Sequence, residues 1–115
     1  MKTDQIARVI IEDNSDVILN ITIGNAQIGG SLIRWKNENT NLGKGKITHL
    51  TLGRGSVIKG KTLEILTNLV DINEQTNKLI VTYFLQNVTD PVYTLIDQFE
   101  NEGAHFSFSL SITFN

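Results

Sequence analysis

Apolar and polar residues alternate along most of this chain, and the alternation is cleanest from His105 to Phe114. There Phe106, Phe108, Leu110, Ile112 and Phe114 take every second place, with His105, Ser107, Ser109, Ser111 and Thr113 between them. Successive side chains of a strand point to opposite faces, so this segment buries one face and leaves the other as a flat row of hydroxyls. Short runs of the same character recur at 5–12, 17–23, 31–36, 47–52, 62–72 and 78–86, separated by clusters of Gly, Asn and Asp. Such spacing predicts an antiparallel sandwich or barrel. Val17, Leu19, Ile21 and Ile23 share one face of the second run. The run 78–86 carries large apolar residues on both faces, which predicts a central strand covered on both sides. Asn37 to Lys46 reads as a polar loop.

The segment 92–99 reads two ways. Asp90-Pro91 suits a helix start, and Val92, Leu95, Ile96 and Phe99 then recur at helical spacing. As a strand, Tyr93, Leu95 and Phe99 share a face with Asp97 as the intruder. The strand is preferred because its neighbours are strands, with a short helix near 91–100 as the alternative. The expectation is an all-β fold, a single antiparallel β-sandwich over residues 1–115 with about seven or eight strands. It resembles jelly-roll or immunoglobulin-like modules in architecture alone, and architecture carries no function.

Composition sharpens this picture mainly by exclusion. A chain of 115 residues argues for one domain, which at this length buries roughly two thirds of its unfolded surface. Hydrophobic residues at 40% and charged residues at 19% oppose disorder, and a net charge of −2 gives no footprint for nucleic acid. The chain has no cysteine, which removes disulfides and thiolate chemistry and leaves the compartment open. The start, M-K-T-D-Q-I-A-R, has no long apolar stretch and predicts no leader peptide. No apolar run approaches the ~20 residues of a transmembrane segment.

One motif matches a known chemistry. Gly55-Ser56-Val57-Ile58-Lys59-Gly60-Lys61-Thr62 fits the phosphate-loop pattern G-x-x-x-x-G-K-[ST]. That chemistry needs a helix beginning at the Lys, with its N-terminus facing the anion. The β-rich surroundings favour a Gly/Lys-rich connection instead. His49 and His105 lie far apart without metal-ligand spacing, and each is expected to face outward from a strand. No G-x-S-x-G elbow exposes a serine nucleophile. Trp35 is expected in the core, with a sugar platform as the competing role. Asn20-Ile21-Thr22 and Asn87-Val88-Thr89 fit the glycosylation sequon, as chance predicts in a chain so rich in Asn and Thr.

Two candidate surfaces remain. If the last strand lies at a sheet edge, the row Ser107, Ser109, Ser111 and Thr113 is unguarded against pairing with another chain. If strands alternate up and down in the order read above, 12–16, 37–41, 71–77 and 100–103 meet at one end. Asp13, Asp16, Glu38, Asp71 and Glu74 would then be oxygen ligands for calcium, while the basic stretch 53–61 lies at the other end. The functional expectation is a non-catalytic interaction or structural module acting through strand edges or end loops, with a protein partner or self-association and no cofactor. The alternative is a small-ligand module for carbohydrate or calcium.

Overall fold

The computed structural model describes residues 2–73, 75–101 and 103–115, and it places nine strands and one helical turn in two packed sheets. The strands are β1 (Lys2–Arg8), β2 (Asp16–Ile23), β3 (Ile28–Trp35), β4 (Asn41–Gly45), β5 (Leu50–Arg54), β6 (Thr62–Val70), β7 (Lys78–Gln86), β8 (Val92–Gln98) and β9 (His105–Phe114). The helical turn α1 (Gly55–Ile58) follows β5. One sheet has the order β1-β9-β6-β3-β4 and the other β5-β2-β7-β8. Every pairing is antiparallel except β1 with β9, which run parallel. The β-sandwich expectation therefore holds. Segment 92–98 is a strand, and the helical turn lies at 55–58 instead of near 91–100.

The core forms where the alternating faces meet. Val17, Leu19 and Ile21 of β2 and Leu79, Val81, Tyr83 and Leu85 of β7 face inward from one sheet. Leu63, Ile65 and Leu69 of β6 and Phe108, Leu110, Ile112 and Phe114 of β9 meet them from the other. Trp35 is 5% exposed, and its ring meets Phe114 edge-on at 6.1 Å, as the core reading expects.

The strand missing from the sequence reading is β4. Asn41-Leu42-Gly43-Lys44-Gly45 pairs with Ser31–Arg34 across a register shift. It is short, exposed and glycine-rich, so it lacks the apolar alternation that marks a half-buried strand. Its presence reverses the chain once more and inverts the placement of every later connection. The links 9–15, 36–40, 55–61 and 87–91 share one end, here the α1 end. The connections from β2 to β3, β4 to β5, β6 to β7 and β8 to β9 share the opposite end, here the Gln27 end. There the buried Gln27 accepts from the backbone N–H of Ile72 at 2.9 Å and Asn73 at 3.1 Å. Its amide donates to the carbonyls of Thr76 at 3.2 Å and Lys78 at 3.3 Å, so one side chain ties two connections together.

Candidate functional site

The hydroxyl row of the last strand is not a free edge. β9 sits between β1 and β6, and β1 pairs with it from Phe108 to Phe114. Ser107, Ser109, Ser111 and Thr113 are half-buried among neighbouring side chains on the outer face of that sheet. Ser107 donates to Asn68 Oδ1 at 2.6 Å, and Thr113 shares a 2.9 Å hydrogen bond with Thr62. Arg34 and Glu64 form an ion pair at 3.4 Å on the same face. Edge pairing through this strand is thus corrected: its backbone is already engaged on both sides over that stretch.

The expected gathering of carboxylates is corrected too, and the cause is β4. Asp13, Asp16 and Glu38 lie at the α1 end together with the basic stretch they were expected to oppose. Lys59 Nζ stands 3.9 Å from Asp13, and Lys61 Nζ stands 3.6 Å from Glu38. Asp71 lies at the Gln27 end, 2% exposed, with no hydrogen-bond partner for its carboxylate among the described residues. Glu74 lies outside the described residues. Among the described residues no group of three or more His, Asp or Glu side chains is placed to hold a metal ion.

The phosphate-loop match resolves into a connection between strands. The helical turn precedes Lys61, and Thr62 opens β6, so no helix begins where the chemistry needs one. Its glycines have local reasons. A Cβ at Gly55 would meet the Glu12 carbonyl oxygen and Ile10 Cγ2 at 2.6 Å, and Gly60 has φ +85°. His49 sits in a turn at φ 54° before β5, not on a strand, and its N–H donates to Asn20 Oδ1 at 2.7 Å. His105 opens β9 and is exposed.

The surface that sequence reasoning passed over is the outer face of the four-stranded sheet. β7 is central there, between β2 and β8, but only its inner face is covered. Its outward residues Ile80, Thr82 and Phe84 stand in rows with those of its neighbours. Phe84 aligns with Asn20 and Val92, Thr82 with Thr22 and Thr94, and Ile80 with Ile96. Phe84 is 38% exposed, Val92 48% and Ile96 70%. Among the described residues charge appears only at the margins, as Asp16 and Arg54 near the α1 end and Lys78 near the Gln27 end. The apolar surplus on both faces of 78–86 was the available signal, but in sequence it points to double coverage.

This face ends at β8, an edge strand whose inward side is fastened to β1. Lys2 Nζ donates to the Asp97 carboxylate at 2.8 Å, and the Tyr93 hydroxyl donates to Asp4. The hydrogen bond from Tyr93 holds the Asp4 carboxyl below its usual value, and that from Lys2 does the same for Asp97. Burial, reinforced by the Asp4 carboxylate, pushes the Tyr93 phenol up to about 12. The intruder Asp97 is therefore part of the closure between the two sheets.

Comparison of the chain with protein-family models, curated proteins and solved structures gave no match. Among the described residues, no helix is long and apolar enough to cross a membrane.

Proposed function

We propose that this chain is a non-catalytic interaction module whose working surface is the outer face of β2, β7 and β8, and that its partner is a second copy. The carrying observation is the run of uncharged rows, Asn20–Phe84–Val92, Thr22–Thr82–Thr94 and Ile80–Ile96, with three large apolar side chains open to solvent. An uncharged sheet face can stack on its own copy without like-charge repulsion, at the ~10 Å spacing of packed sheets. Three of the eight exposed large apolar side chains among the described residues stand on this one face, and an exposed apolar patch is a mark of an interaction surface.

Sedimentation and light scattering across a concentration series test this reading. Wild type should associate reversibly. The double variant Phe84→Lys with Ile96→Lys should stay folded and run as a monomer, since neither side chain belongs to the core. A monomeric wild type at every concentration would rule out self-association. An oligomer untouched by the double variant would place the contact elsewhere.

A further inference from the structure

A ligand site opens beside that face and shares Asn20 and Thr22 with its margin. β4 and β5 are five residues each, and both stop short of the Gln27 end. β4 pairs with Ser31–Arg34, leaving Ile28–Gly30 of β3 unpaired on that side. β5 pairs with Asp16–Leu19, leaving the end of β2 without a strand on that side, where it meets only a 3.0 Å bond from the Ile21 N–H to the Ile47 carbonyl and a 2.7 Å bond from the His49 N–H to Asn20 Oδ1 among the described residues. Between these two stretches opens a lateral cleft of about 400 Å³, roofed by the link from β4 to β5. This is within the range of small-molecule pockets.

The buried side of the cleft has a fixed hydrogen-bond polarity. Ser31 lines it, and the Ser31 hydroxyl lies 2.8 Å from that of Thr67, which lies 2.7 Å from the Tyr83 hydroxyl. All three residues are buried, and these hydroxyls make no other side-chain hydrogen bond among the described residues. Three hydroxyls bring three protons to two links, so one proton stays unused, on Tyr83, Thr67 or Ser31. Burial holds the Tyr83 phenol up at about 12, so it carries its proton at neutral pH. Were the unused proton on Tyr83 or on Thr67, it would be stranded in the core, at a cost of about 1–3 kcal/mol. The relay therefore runs from Tyr83 to Thr67 to Ser31, and the Ser31 O–H is left to donate into the cleft.

The remaining lining agrees in sign. Among the described residues Lys46 is the one charged residue lining the cleft, and Ile21, Ile23, Ile28 and Ile47 supply aliphatic surface. Gln27 is already committed on both its oxygen and its nitrogen. We infer that the cleft binds a small carboxylate with a short aliphatic body, its oxygens accepting from Ser31 and Lys46 and its chain lying on the isoleucines.

Amide chemical shifts of the full chain, titrated with hexanoate and separately with hexylamine, test this. Hexanoate should shift residues 20–23, 28–31 and 45–48 in a saturable way, and hexylamine should not. Ser31→Ala should weaken hexanoate by about tenfold, the loss of one hydrogen bond to a charged group. Should Ser31→Ala fail to fold, Lys46→Gln, on the exposed rim, decides by the same loss. No saturable hexanoate shift in the cleft, equal binding of hexylamine, or unchanged affinity in Lys46→Gln would each overturn the site.

Discussion

The two outer faces of this sandwich treat polar contact in opposite ways. On the five-stranded sheet, hydroxyls, amides and one ion pair answer one another across strands: Ser107 with Asn68, Thr113 with Thr62, Arg34 with Glu64. On the four-stranded sheet, apolar side chains share the rows with threonines and stand open. The five-stranded face resembles a contact surface in sequence because it is flat and uncharged along one strand. In three dimensions its neighbours supply the charges and partners. The four-stranded face suggests burial in sequence because apolar residues occupy both sides of one strand. A strand's composition reports what its two sides prefer, while the neighbouring strands and the opposing layer decide what covers them.

The largest effect that tests this contrast comes from below the faces. Phe108 stacks against Tyr93 with ring centroids 6.2 Å apart and is fully buried. Phe108→Ala should cost about 3–5 kcal/mol in chemical denaturation. Phe84→Ala, outward on the adjacent sheet, should cost about 0.5–1 kcal/mol in the monomer. Equal losses would mean that the outer face is covered after all.

The next effect separates inner from outer side chains by pH. Tyr83 and Tyr93 are the two tyrosines of the chain, both facing inward, and both are held up at about 12. Their folded values lie above the ordinary value near 10, so their contribution is complete below pH ~10 and is lost as pH rises toward ~12. For Tyr83 the loss is about 2 kcal/mol, read as falling stability together with phenolate absorbance. Asp4 and Asp97 act in the other direction. Their folded values are depressed, so their small, exposed contribution is present above the ordinary carboxylate value and disappears as pH falls below it. Asp4→Asn should flatten the acid limb, and an acid limb unchanged in that variant would sink the assignment.

A smaller effect compares the two faces directly. Ser109→Lys with Ser111→Lys should leave association as in wild type, because β1 already covers that strand, whereas charges at Phe84 and Ile96 abolish it. The reverse ranking would return the contact to the last strand. Smallest of all, Arg34→Gln should change stability by about 0.2–1 kcal/mol, the ordinary range for an exposed ion pair.

Much of the fold was legible because side-chain period reports burial. Phe108, Leu110, Ile112 and Phe114 are buried as their alternation predicts, and Val17, Leu19 and Ile21 likewise. The preference for a strand at 92–98 held because Tyr93 and Leu95 face inward. What could not be read depends on partners distant in sequence. Asn41–Gly45 is a strand only because β3 offers it an edge, and that single addition moved Asp71 to the opposite end from Asp13 and Glu38. The pairing of residues 2–8 with 108–114 leaves no local trace. Neither does the hydroxyl relay, since Ser31, Thr67 and Tyr83 meet only across two sheets.

The parallel register of β1 and β9, from Lys2–Phe108 to Arg8–Phe114, has a mechanical consequence. Residue 2 and residue 115 leave the pair in opposite directions, roughly 20 Å apart along the strands at the usual rise per residue. Tension applied between those two points slides the strands past each other, so the hydrogen bonds of the whole patch bear load together. An antiparallel hairpin pulled at its open end gives way one bond at a time. Forced unfolding is governed by the unfolding rate, and here its first barrier would be the shearing of this patch. A chain threaded through such a domain at both ends would be clamped against extension by its first and last strands.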